Sequence, residues 1–215
     1  KDMIRLFGPL LVEQLLAVLV GMADVVMVAA VGETAVSGVA LVDSISVLVI
    51  QVLSAMATGG AVVCSQYIGK KKPDQACRAA GQLVLITAAL SLFIAAVAFI
   101  GNRHLLRLIF GSVETAVMDN AQTYFWFTAM SYPFLALYNS GAALFRSMGN
   151  SKVSMKVSLA MNAINVAGNA LCVFGLHMGV EGVAIPTLVS RMFAAVVMVI
   201  LVRSPKNSIR VYSFR

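Results

Sequence analysis

Four ionisable side chains, Glu13, Asp24, Asp43 and Arg191, stand inside stretches of chain that are otherwise almost wholly apolar. In hydrocarbon an Asp or Arg costs about 2.5–3.5 kcal/mol on insertion scales, so such groups face a protein interior or a water-filled cavity. Asp24 is the strongest candidate for chemistry, because apolar residues flank it and no basic residue lies near it in sequence. A carboxylate there binds a cation or takes up a proton; the plainer alternative is a structural carboxyl hydrogen-bonded between helices. Glu13 and Asp43 leave the same two alternatives open, nearer to an interface. Arg191 is expected to pair with a buried acid or helix-end carbonyls rather than to touch a small molecule.

A second signal lies farther along. Asn162, Asn165 and Asn169 follow one another at spacings of three and four, which puts them on one face of a helix. Taken alone, such a ladder serves as inter-helix glue. Together with Asp24 and the hydroxyl of Thr187 it offers one carboxylate and several neutral oxygens, the donor set that a hard monovalent cation requires. Pro9, Pro133 and Pro186 lie in or at the start of apolar stretches, and glycines such as Gly21, Gly38, Gly60, Gly141 and Gly168 are scattered along them. These residues permit bending and close helix approach. Pro9 stands upstream of Asp24 on one stretch, so a kink at Pro9 that moves with the occupancy of Asp24 is the expectation.

These residues sit in six apolar stretches, each long enough for the about 20 residues that a bilayer core demands. They run over about 6–31, 36–68, 75–100, 116–145, 153–176 and 183–202. Of the 215 residues, 60% are apolar and 12% charged, and mean hydropathy is +0.91. A soluble fold of this size could not hide that much apolar surface. No segment alternates with a strand period long enough for a barrel. The fold class expected is an all-α membrane protein with a single unit over 1–215, and 204–215 as a polar cytoplasmic tail or linker.

The connections are short. Thr34 reads as the N-cap of the second helix, and Pro73-Asp74 as the start of the third. The run Arg103 to Arg107 reads as a short interfacial helix between the third and fourth spans. Thirteen of the sixteen bases fall on one side of the six-span arrangement: Lys1, Arg5, Lys70, Lys71, Lys72, Arg78, Arg146, Lys152, Lys156, Arg203, Lys206, Arg210 and Arg215. By the positive-inside rule both termini are cytoplasmic. The net charge of +7 then addresses anionic lipid, and a nucleic-acid partner is not expected.

No metalloprotease His-Glu-x-x-His, no Gly-x-Ser-x-Gly elbow and no phosphate-binding loop occurs in the sequence. Cys64, Cys77 and Cys172 are widely separated and odd in number, without metal-ligand spacing. The expectation is a protein that is not an enzyme, with no metal beyond a monovalent cation and no organic cofactor.

Several motifs together resemble one family. Gly8-Pro9-Leu10-Leu11-Val12-Glu13-Gln14 followed by Met22-Ala23-Asp24-Val25-Val26-Met27-Val28 resembles the first helix of the multidrug and toxic compound extrusion (MATE) family. Gly59-Gly60, Ser65-Gln66-Tyr67-Ile68-Gly69 and the following lysines resemble its second helix and cytoplasmic loop. Leu144 to Ser151 resembles its fourth-to-fifth connection, and Met178 to Ala184 the start of its sixth helix. The resemblance implies one lobe of a twelve-helix secondary antiporter in the cell inner (plasma) membrane. Such transporters export mostly cationic or amphipathic organic compounds in exchange for sodium or protons. It maps the N-lobe cation site onto Asp24, Asn165, Asn169 and Thr187, with Asn169 where some members carry aspartate, which is similar to the NorM-type arrangement. Glu13, Asp43, Asn162 and Arg191 are expected as supporting polar residues, and Pro9 as the gating kink. The length and the start at Lys1 lead to the expectation of a fragment comprising the N-terminal lobe, completed by a second lobe; two associated copies are the alternative. Other readings are a related lipid-linked sugar flippase, which would call for several cavity bases, and a non-transporting membrane assembly subunit.

Overall fold

The computed structural model describes residues 2–207, 209 and 211. Seven α-helices follow in order: α1 (Asp2–Val31), α2 (Glu33–Gly69), α3 (Pro73–Ile100), α4 (Asn102–Phe110), α5 (Thr115–Ser147), α6 (Ser151–Ala170) and α7 (Glu181–Val202), with a π turn at Leu171–Gly175 closing α6. No strand occurs among the described residues.

Five of the six expected spans are long and apolar enough to cross a membrane: α1, α2, α3, α6 with its π turn, and α7. The expected fourth span is α5, whose 33 residues reach about 50 Å at 1.5 Å per residue. Its composition is more polar than that of its neighbours, and its position explains why. It packs against α2, α3 and α7 at the centre of the bundle and buries seventeen residues, whereas α1 buries only Met27 and Val28. A helix surrounded by protein can carry hydroxyls and amides that a lipid-facing helix cannot, provided each finds a partner. Thus Tyr132 Oη and Ser46 Oγ of α2 lie 2.9 Å apart, and Ser140 Oγ lies 2.7 Å from Thr87 Oγ1 of α3. Asn120 Nδ2 donates to Thr34 Oγ1 at 3.3 Å.

That last contact corrects the expected cap. Thr34 lies inside α2, which starts after Gly32, and its hydroxyl is turned to α5 rather than to its own helix end. Gly32 makes the corner with φ of 148°, a conformation that favours glycine. Pro73 opens α3 as expected. The run Arg103 to Arg107 lies in α4, which buries Leu106 and leaves Leu108 83% exposed.

The beginning of α1 and the beginning of α6 share one end of the bundle, where Ser151 Oγ donates to the Leu6 carbonyl at 3.1 Å. The stretch after α7 returns to that end, with the Ile209 amide 3.4 Å from Met148 Sδ. Arg5, Lys70, Lys71, Lys72, Arg78, Arg146, Lys152, Lys156, Arg203 and Lys206 belong to the segments gathered there. Lys1, Arg210 and Arg215 lie outside the described residues, as does most of 208–215.

Candidate functional site

The site begins with a close approach of two helices. A Cβ on Gly168 of α6 would stand 2.8 Å from Pro186 Cβ of α7, a contact no side chain tolerates without shifting a rigid ring. Glycine there brings α6 and α7 together one residue before Asn169 and one residue before Thr187. Asn165 and Asn169, one turn apart, are both buried on this face. Immediately afterwards α6 widens into its π turn, a local irregularity of the kind that helices adopt at functional positions.

α1 also packs against α6 and delivers Asp24. Asn169 Nδ2 donates to Asp24 Oδ1 at 2.7 Å and to Asn165 Oδ1 at 3.1 Å. Asn165 Nδ2 donates to Thr187 Oγ1 at 3.0 Å, and that hydroxyl donates to the Val183 carbonyl at 2.9 Å. The four residues expected to act together are therefore joined in one directional chain across α1, α6 and α7. Most of its donors are spent internally, while acceptor capacity remains. Asn169 Oδ1 is buried and has no hydrogen-bond partner, which in a packed interior costs about 1–3 kcal/mol. A carboxylate and an unpartnered amide oxygen side by side form an arrangement that a hard cation, or a protonated group, would satisfy.

Beside this chain lies a cavity of about 310 Å³. Asp24, Asn162, Asn165 and Thr187 line it, and so do Asp43 and Arg191 from α2 and α7. Asp43 accepts a hydrogen bond from Tyr124 Oη at 3.4 Å. Arg191 meets its expectation only in part: its charge acts on Asp24 and Asp43, but among the described residues it forms no salt bridge within 4.0 Å, and its Nη1 donates to Ser131 Oγ at 2.6 Å. The guanidinium is tethered by a neutral hydroxyl.

Glu13 stands apart from this group, eleven residues before Asp24 on α1 and so about 16 Å away along the axis. Its carboxylate accepts from Tyr138 Oη of α5 at 3.0 Å and from Ser154 Oγ of α6 at 2.9 Å. Pro9 is inside α1, one turn before Glu13. It removes one backbone hydrogen bond near this node and does not border the cavity.

Tyr124, Ser131 and Tyr138, which hold Asp43, Arg191 and Glu13, were not singled out from the sequence. A signal was there: the three recur every seven residues along α5, which is two helical turns and therefore one face. That stripe supplies one hydroxyl to each of three ionisable groups on three other helices.

A bundle of long apolar helices packed around a central, hydroxyl-bearing helix, with a cavity holding charges of both signs, is the build of a lobe of a multi-pass membrane transporter. The MatE family model matches residues 9–171, and the chain belongs to the MATE family of transporters. It is similar to the uncharacterized transporter YisQ of Bacillus subtilis (strain 168), 29% identical over 205 residues that make up 94% of this chain and 45% of YisQ. It is also similar to the probable multidrug resistance protein NorM of Thermotoga maritima, 26% identical over 202 residues covering 91% of this chain and 42% of that protein. Among solved structures it resembles the outward-facing conformation of a multidrug resistance MATE family transporter of the MOP superfamily, with a TM-score of 0.91 at 18% identity over 98% of this chain and 47% of that one. At that identity the likeness is one of fold. The chain spans about half the length of the curated relatives it matches.

Proposed function

We propose that the chain acts as the N-terminal lobe of a secondary efflux transporter that exports small organic compounds, mostly cationic, in exchange for sodium or protons. It does so in the cell inner membrane with both termini cytoplasmic and is completed by a second six-helix lobe or a second copy. The observation that carries this reading is the hydrogen-bonded chain Asp24–Asn169–Asn165–Thr187 with the buried, unpartnered Oδ1 of Asn169. Asp24 is the charged ligand or proton carrier, and the neutral oxygens of Asn165, Asn169 and Thr187 complete the coordination of the coupling ion.

Binding an ion here draws α1 and α6 together around a carboxylate that is otherwise anionic beside an apolar wall. Releasing it leaves that charge facing the cavity, where it attracts a cationic substrate. Ion and substrate thus compete for one negative charge, and the difference in their affinities for the two access states drives exchange. Pro9 and Glu13 lie in the half of α1 that leads to the cytoplasmic end, so a bend at Pro9 couples occupancy at Asp24 to access on that side.

The test is Asp24→Asn in the complete transporter, read as dye efflux under an imposed ion gradient. Efflux is expected to fall by at least about tenfold, equivalent to about 1.4 kcal/mol, with membrane insertion unchanged. Efflux at the wild-type level would overturn the assignment.

A further inference from the structure

The cavity contains a positive charge that cation export does not explain. Arg191 lies one turn after Thr187 on α7, so both face the same space. A guanidinium carries five N–H donors, and the structure gives this one a single bond, to Ser131 Oγ. Ser131 is fully buried and donates its own proton to the Thr128 carbonyl at 2.6 Å, so its oxygen is held as an acceptor at a fixed place. The effect is to aim the guanidinium into the cavity. Asp24 and Asp43 share its cavity and feel its charge through space, yet no salt bridge to either forms within 4.0 Å, so the N–H groups of the guanidinium stay open.

We propose that Arg191 is an anion-recognising subsite. A substrate that carries both charges lays its carboxylate on the Arg191 guanidinium while its cationic end is drawn to Asp24 and Asp43. An arginine fork matches a carboxylate with two parallel hydrogen bonds. The remaining N–H groups of Arg191 have no other hydrogen-bond partner among the described residues. The cavity volume, about 310 Å³, falls at the lower end of the range for small-molecule sites. Its walls include apolar valines such as Val28, Val39 and Val183, which would meet the apolar part of such a substrate.

This inference rests on the efflux reading, and the experiment separates the two. The probes are rhodamine B, which carries a free carboxylate and a delocalised cation, and its ethyl ester, which carries the cation alone. Each is measured for efflux from cells and for binding to the purified complete transporter by fluorescence anisotropy. In Arg191→Gln, which keeps a donor for Ser131, rhodamine B binding and efflux are expected to fall about tenfold, with the ester retained or bound more tightly because a positive charge has left the cavity; Arg191→Lys retains part of the rhodamine B response. Equal loss of both dyes, no change in either, or wild-type transporter that binds only the ester would overturn the subsite. If wild type binds rhodamine B in an Arg191-dependent way but exports neither dye, the subsite stands and the efflux reading fails.

Discussion

α1 carries two carboxylates about 16 Å apart, and they live in opposite circumstances. Glu13 is closed: both of its oxygens accept hydroxyl protons, from Tyr138 and Ser154, and it ties α1 to α5 and α6. Asp24 is open: one oxygen accepts from Asn169, an unpartnered amide oxygen is its neighbour, and a cavity lies alongside. A carboxylate whose lone pairs are filled by protein donors is a fastening. One set among further oxygen acceptors is a place for a cation or a proton. The difference comes from the facing helix: α6 shows Glu13 a serine that donates, and shows Asp24 an asparagine whose amide donates while its carbonyl is left over.

Breaking the open carboxylate has the largest expected effect, the loss of coupled efflux described for Asp24→Asn, while Glu13→Gln is expected to keep efflux within about threefold of wild type. A gel-normalised dye assay on the two variants side by side measures this contrast; comparable losses would erase it. Next in size is Gly168→Ala. Its Cβ would meet Pro186 at 2.8 Å, and overpacking of this kind costs about 1–3 kcal/mol. The expected outcome is a lower Tm together with loss of ion dependence, since Asn165 and Thr187 are separated by the same shift. Tyr138→Phe follows. It strips Glu13 of one of two donors at a cost of about 1–2 kcal/mol and is expected to lower Tm while leaving ion dependence intact. Smallest is Asn162→Ala. Asn162 lines the cavity without joining the hydrogen-bonded chain, and efflux is expected to change less than about twofold.

Much of this contrast was legible in the residues and part was not. The spacing of Asn165 and Asn169 fixes a shared helix face whatever the tertiary structure, and apolar runs long enough to span a bilayer mark the helices. The same logic placed α4 and the start of α3. What spacing does not contain is how helices rotate against one another. Glu13 and Asp24 look alike along the chain, and only the facing residues, Ser154 for one and Asn169 for the other, separate their roles. Arg191 was expected to pair with an acid or helix-end carbonyls because an unpaired charge is costly; among the described residues its one hydrogen bond goes to Ser131, while Asp24 and Asp43 act on it only through space. The central place of α5 was encoded in its lower hydropathy and in the Tyr124, Ser131, Tyr138 stripe, which makes sense only once other helices surround it. Thr34 has the composition of a cap, and the neighbouring Asn120 takes its hydroxyl instead.

The most direct measurement is the thermal stability of the purified complete transporter, titrated with sodium at fixed ionic strength and with protons across a pH series. Wild type and Glu13→Gln are predicted to gain Tm on addition of the coupling ion, because a ligand that binds only the folded state stabilises it. Asp24→Asn is predicted to show no such gain. An ion-dependent rise in Tm that survives in Asp24→Asn and vanishes in Glu13→Gln would place the ion at the other carboxylate and contradict the assignment made here.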